Sequence, residues 1–226
     1  MHTLPPNSIN DQERRTSSLA RLQQTLLLVG VASGLAWVWW SWPRSLTAML
    51  AGTALMTLGY AVILGIETVA AATVNRTDGA QRASAAEWLG AWWQEVKVAP
   101  EVFAWRQPFR WRQWPDTTRA PPASPPAVVL VHGFFCNRGF WLPWMERMRE
   151  LGLPYVSVNL EPVFGSIDDY VPHVECAVQA AEALGGGRPV LVCHSMGGLA
   201  ARAWLAAQPG NRARVGTIVT IGSPHH

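Results

Sequence analysis

Charge and cysteine are both scarce in this chain. Only 15% of its 226 residues are Asp, Glu, Lys or Arg, low for a soluble protein. The basic residues form no dense cluster, which argues against a nucleic-acid groove and leaves nucleic acid out as a partner. Three cysteines, Cys136, Cys176 and Cys193, are scattered and odd in number. They provide neither a disulfide framework nor metal-ligand spacing. No metal and no cofactor is expected, and Cys136 and Cys193 read as small apolar packing residues. One further shortage bears on chemistry: after Ser195 the sequence holds no Asp and no Glu.

What is abundant is apolar. Hydrophobic residues make up 49% of the chain, with 13 tryptophans, and the excess lies before Asn75. Residues 1–23 read as a polar, mobile tail with a basic end at Arg14, Arg15 and Arg21. Thr25 to Trp42 then carries no charge. At 1.5 Å per residue it is long enough to cross a ~30 Å hydrocarbon layer. Trp37, Trp39, Trp40 and Trp42 gather at its far end, where indole rings favour the headgroup level. Pro43-Arg44 breaks the run, and Leu46 to Ile66 forms a second uncharged run of sufficient length. Gly52 and Gly59 are positions where the two helices could approach closely. Glu67, just past the run, reads as an interfacial carboxylate in preference to a buried functional acid. Residues 24–75 are therefore expected to be a transmembrane helical hairpin. A signal peptide is the rival reading of the first run. The long charged lead, the lack of an A-x-A-like site after Trp42 and the second run all argue against it. Arg14, Arg15 and Arg21 precede the hairpin, Arg76 and Arg82 follow it, and only Arg44 lies in the link. The positive-inside rule then puts both ends in the cytoplasm of a bacterial inner-membrane protein.

Residues 76–126 form a connector. Ser84-Ala85-Ala86-Glu87 is a capping-box pattern that starts a helix, and Trp88, Trp92 and Val96 recur on one face. Trp105, Trp111 and Trp114 alternate with Arg106, Arg110 and Arg112. That pattern fits either a lipid interface or packing on the domain that follows. Residues 120–126, rich in proline, are a stiff extended linker. From there strands and helices alternate: a strand over Ala127–Val131, a helix from Phe140 to Leu151 and a strand from Tyr155 to Leu160. Ser166 to Asp169 caps a helix that runs to Leu184. A strand over Val190–Cys193, a small-residue helix through Leu199 to Ala207 and a strand over Val215–Ile221 follow. Such alternation predicts an α/β class fold, a mainly parallel sheet with helices on both faces.

The informative stretch is Cys193-His194-Ser195-Met196-Gly197-Gly198. A serine between a buried strand and a helix that opens at Met196, with small residues two positions away on each side, fits a nucleophile elbow. Cys193 stands where the usual pattern has glycine. With Val129-Leu130-Val131-His132-Gly133-Phe134 before it and Thr220-Ile221-Gly222-Ser223-Pro224-His225-His226 after it, the order resembles the α/β-hydrolase family, and within it the bacterial lipases and esterases. The resemblance covers residues 127–226. It implies Ser195 as the acylated nucleophile and an oxyanion hole made by the backbone N–H groups of Phe134 and Met196. It also implies a triad running Ser, then Asp or Glu, then His. Here no acid follows Ser195, and His225 and His226 come too early to be the family's base. His194 diverges from Ser195 at a sharp turn and reads as a packing residue. His132 is expected to brace the oxyanion loop, and His173 to lie exposed on a helix.

Two function classes follow. One is a membrane-anchored serine hydrolase cleaving acyl esters or lipids near the bilayer, with a partial, C-terminally truncated α/β-hydrolase domain. The other is an inactive hydrolase-like module serving interactions at the membrane. Dehalogenation is disfavoured, because it usually places a carboxylate at the elbow.

Overall fold

A computed structural model describes residues 16–77 and 82–224. The expectations for residues 1–15, Asp78, His225 and His226 lie outside them. The chain divides into two compact units, one of residues up to Gln23 with those from Arg106 onward, the other of Gln24–Trp105.

The Gln24–Trp105 unit is helical. Helix α1 spans Ser18–Ser41 and helix α2 spans Leu46–Val74, both long and apolar enough to cross a membrane. Ser45 caps α2 by accepting from the Ala48 N–H at 3.2 Å. Helix α1 meets α2 near the link, where the Trp37 indole donates to the Met49 carbonyl at 3.3 Å. A Cβ on Gly52 would overlap the Trp37 ring, so Gly52 is a true close-approach position. Gly59 is not, since the nearest atom to a Cβ there belongs to Leu55 of the same helix. Glu67 lies inside α2, exposed, rather than beyond its end. Helix α3, Ala85–Glu101, opens on the expected capping box: Ser84 Oγ accepts from the Glu87 N–H, and the Glu87 carboxylate accepts from the Ser84 N–H. Its Trp88–Trp92–Val96 stripe faces α2. The Trp92 indole donates to the Ala61 carbonyl and the Tyr60 hydroxyl to the Val96 carbonyl, each at 2.9 Å. A π-helical segment, Val102–Arg110, continues α3.

The other unit is built on four parallel strands: β1 (Val128–Val131), β2 (Tyr155–Ser157), β3 (Val190–His194) and β4 (Thr217–Ile221), in the order β2-β1-β3-β4. The first two are shorter than the sequence suggested. Residues after Ser157 leave the ladder, with only Val158 still donating to the Leu130 carbonyl, at 3.1 Å. Helix α4 (Leu142–Glu150) lies between β1 and β2 in sequence, and α5 (Val171–Ala183) between β2 and β3. Helix α6 (Met196–Ala207) and the short α7 (Asn211–Arg214) lead to β4. Alternate strand residues explain the layering. Val129, Val131, Leu191 and Cys193 bury against α5 and α6, through Val174, Val178, Ala200 and Trp204. Leu130 and Val192 bury on the other face against Trp141, Leu142, Met145 and Met148. The sheet is therefore parallel and covered on both sides, as the alternation predicted.

One expectation fails at the N-terminal end. Residues from Thr16 to Gln23 are no mobile tail: Ser17, Leu19, Ala20 and Gln23 are buried. Ser17 Oγ caps α1 by accepting from the Ala20 N–H at 3.1 Å. Ser18 hydrogen-bonds to the Glu161 carboxylate through its N–H and its hydroxyl.

Candidate active site

The strand order reverses between β1 and β3: β2 lies to one side of β1, and β3 and then β4 to the other. Loops leaving two such strands part to opposite faces and leave a crevice at the carboxyl end of the sheet. Val131 pairs with Cys193, so the loop after β1 and the turn after β3 emerge side by side. The first carries His132-Gly133-Phe134-Phe135, the second Ser195.

Ser195 holds φ 50° and ψ −123°, a conformation L-residues avoid and one kept only where the surroundings enforce it. Three contacts enforce it. The Ser195 N–H donates to the Ile221 carbonyl at 2.9 Å, tying the turn to β4. A Cβ on Gly197 would come within 2.6 Å of the Val131 and His132 carbonyls. A Cβ on Gly133 would come within 2.8 Å of the Ser195 Cβ. Glycine at 133 and 197 is thus what lets the two loops touch. Cys193, two residues before the serine, is buried, and burial pushes its thiol up to about 12. Its small side chain fills the position where the usual pattern has glycine. Met196 is the first residue of α6, so its N–H has no acceptor within the helix and points out of its positive end.

The histidines divide by contact. His132 is fully buried; its Nδ1–H donates to the Gly133 carbonyl at 2.9 Å, and its Nε2 accepts from the Leu160 N–H at 3.0 Å. Those partners require the neutral ring, and burial holds its pKa down at about 4. It therefore braces the loop after β1 against the segment after β2, as expected. His194 stacks on Phe140, ring centroids 4.5 Å apart. His173 lies on α5, half-buried rather than exposed, with its Nδ1 at 3.2 Å from the Asp169 carbonyl and its ring against Tyr170. Among the described residues no three His, Cys, Asp or Glu gather as they would around a metal ion.

Sequence reasoning did not find the polar cluster behind the loop. The buried Asn137 side chain donates to Ser17 Oγ at 3.1 Å and to the Gln107 carbonyl at 2.9 Å. Its backbone N–H donates to Gln107 Oε1 at 2.9 Å. Arg138 donates to the Ser157 hydroxyl, the Trp111 and Trp114 carbonyls and the Asp116 carboxylate, the last at 2.6 Å. Trp111 and Trp114 thus pack on this domain, the second of the two alternatives for the connector. Phe164 was also missed. It is 69% exposed and lies 6.0 Å from Phe134 and 6.5 Å from Phe135, so three phenylalanines form an open apolar patch on the loop after β1.

A covered parallel sheet with a strained serine at its switch point defines a partial α/β-hydrolase domain. The Alpha/beta hydrolase family model matches residues 128–224. Solved structures of Bacillus licheniformis lipase BlEst2 are similar to this chain. The mature form is 24% identical with a TM-score of 0.41, over 47% of this chain and 44% of that one. The propeptide form is 22% identical with a TM-score of 0.42, over 50% of this chain and 25% of that one. The match therefore spans less than half of either lipase chain. No curated protein matches the chain.

Proposed function

We propose that this protein is a membrane-anchored serine hydrolase acting on carboxylic esters with an apolar acyl part. Ser195 is its nucleophile, and the backbone N–H groups of Phe134 and Met196 form its oxyanion hole. The observation that carries the reading is the strained Ser195 turn, held against the loop after β1 by two glycines. In this mechanism Ser195 Oγ attacks the ester carbonyl carbon and the carbonyl oxygen becomes an alkoxide between the two N–H donors. The tetrahedral adduct collapses, expelling the alcohol and leaving an acyl-serine that water cleaves. Each oxyanion donor lowers the barrier by about 3 kcal/mol. The serine proton needs a base. His132 is unsuited to that role, because both of its ring nitrogens are occupied. Phe134, Phe135 and Phe164 offer the apolar surface an acyl chain would use.

Three observations support the membrane anchor. The apolar side chains of α1 and α2 are mostly exposed, unlike those of a soluble protein's core helix. Cleavage of a signal peptide after the first run would remove Leu19 and Ala20 from burial and Ser17 from Asn137. The segments before α1's apolar run and after α3 belong to one compact unit, which supports a hairpin with both flanks on one side. The cytoplasm is that side by the balance of arginines.

The test of the chemistry is intact-mass analysis after incubation with p-nitrophenyl butyrate. With no Asp or Glu after Ser195 in these 226 residues, multiple turnover is expected to be negligible. A single acyl adduct should still accumulate slowly on the peptide containing Ser195, driven by the oxyanion donors alone. Ser195→Ala should abolish it. An adduct that survives this substitution, or none at all, sinks the assignment and favours an inactive interaction module. For the anchor, reporters fused after Arg21 and after Arg119 should both report cytoplasm. A periplasmic signal from the second would replace the hairpin with a single signal anchor.

A further inference from the structure

Two loops carry the open phenylalanines. The loop after β1 brings Phe134 and Phe135, and it touches the nucleophile turn through Gly133, where a Cβ would come within 2.8 Å of the Ser195 Cβ. The segment after β2 brings Phe164, which meets Phe134 edge-on with ring centroids 6.0 Å apart, a geometry aromatic pairs favour. Burial does not hold these two rings, since Phe134 is 54% exposed and Phe164 more so. Their spacing is set by the backbone beneath them.

That backbone is tied by residues 16 to 18, where α1 begins. Ser17 Oγ accepts from Asn137 Nδ2 at 3.1 Å, two residues beyond Phe135. The Thr16 carbonyl accepts from Asn159 Nδ2 at 3.3 Å. Ser18 donates its N–H to Glu161 Oε1 at 2.8 Å and its hydroxyl to Glu161 Oε2, three residues before Phe164. Three consecutive residues therefore hold both loops. The Glu161 carboxylate is well matched to its place, because an N–H in the first turn of a helix has no acceptor within it and that helix end is partly positive. An ionised acceptor makes such a bond about twice as strong as a neutral one. Next to Glu161, the Leu160 N–H donates to His132 Nε2 at 3.0 Å. A shift at Glu161 is thus passed to the ring that braces the loop after β1.

We infer that the start of α1 is a clasp for the acyl surface: Ser17 and Ser18, acting through Asn137 and Glu161, are positioning residues that set Phe164 against Phe134 and Phe135. The inference rests on the reading of Ser195 as the nucleophile of an ester hydrolase and of the three phenylalanines as the surface for its acyl chain. Anchoring alone requires no such role of Ser17 and Ser18. Opening the clasp lets Phe164 part from Phe134, so the acyl chain loses contact while the ester group still meets Ser195.

The full chain in mild detergent is incubated with p-nitrophenyl butyrate or p-nitrophenyl acetate, and adduct formation on Ser195 is followed by intact mass. Corrected for the esters' own reactivity, wild type should prefer butyrate by roughly 5- to 10-fold, the size expected when two further methylenes gain partial contact with apolar surface. Glu161→Ala should bring that preference to within about twofold of parity, chiefly through slower reaction with butyrate. Glu161→Gln should keep most of it, because the carboxamide oxygen still accepts from the Ser18 N–H. Glu150→Ala, which removes an exposed ion pair with Arg147, is the control and should change nothing. Equal acylation by the two esters in wild type overturns the clasp, as does an unchanged preference in Glu161→Ala. An equal fall with both esters does so too, since it marks a merely structural role. Hydrogen exchange separates failure of the clasp from failure of the nucleophile. If wild type forms no adduct on Ser195, the hydrolase reading falls and the clasp is judged by its own loops. There the Asn137 and Leu160 N–H groups are hydrogen-bonded to Gln107 and His132. Glu161→Ala should speed exchange by about fivefold in peptides covering residues 133–137 and 160–165, and leave β3 and α6 as they are. No rise in those peptides, or a rise spread over the whole domain, overturns the clasp.

Discussion

At the scale of single residues, His132 shows how a small ring governs a loop. Both of its nitrogens are used, and both uses need the neutral form. Its pKa is about 4 in the fold against an ordinary 6.5. Between those values the unfolded chain takes up a proton that the folded chain refuses, so this residue makes stability fall as pH drops below 6.5 and level off below 4. The full effect is about 3 kcal/mol. His132→Gln keeps one acceptor but does not titrate. Urea unfolding in detergent at pH 7.5 and at pH 5 should show wild type losing more stability on acidification than the variant. An identical loss in both would mean His132 is not the group responsible. The serine was legible in the sequence for a related reason. A strand, a small residue, a serine and a glycine already constrain the backbone, and the φ of 50° at Ser195 is what that spacing demands. Phe164 was not legible, because its neighbours Phe134 and Phe135 lie about thirty residues earlier and only the fold brings them together.

At the scale of elements, the segment from Cys136 to Gly139 gathers the connector, β2 and the start of α1. Arg138 is the core of it. Its guanidinium and the Asp116 carboxylate are nearly buried, with side chains 9% and 13% exposed. Removing one partner of such a pair strands the other's charge, at a cost of about 3 kcal/mol or more. Asp116→Asn should therefore lower the stability of the domain by that order, measured by the midpoint of urea unfolding. Arg138→Met with Asp116→Leu should recover part of the loss, since an apolar pair leaves no stranded charge. Strand and helix periodicity made the order of elements readable from Val128 to Ile221. Their ends were less readable. The sequence carries β2 to Leu160, but Asn159 and Leu160 turn away to serve Arg138 and His132. The stripe on α3 was recognised as apolar without revealing its partner. Its contact with α2 depends on Gly65, which leaves room for the Trp92 indole at 3.4 Å from where a Cβ would stand.

At the scale of the whole molecule, the polar tail proved the least legible part. Ser17, Leu19 and Ala20 lie in a stretch that reads as a polar leader, yet they are buried, and Ser17 accepts from Asn137, 120 residues later. Leu19→Asp places a charge where the side chain is 1% exposed, which should destabilise the domain by about 3 kcal/mol. Limited proteolysis at the linker around Pro121 and Pro122 should then cut faster than in wild type. Unchanged cutting would show that the segment adds nothing to the domain. The docking also bears on biosynthesis. Ser17 leaves the ribosome 120 residues ahead of Asn137, and the apolar hairpin emerges in between. If the two helices enter a membrane as proposed, Ser17 has to stay on the side where the domain forms. A hairpin inserted with its ends on opposite faces would leave Asn137 and Glu161 without their partners, and the domain open to proteases. On the proposed reading of the hairpin as an anchor, folding of the domain and correct insertion of the hairpin depend on one another, so a mis-inserted chain should be degraded faster than one inserted correctly.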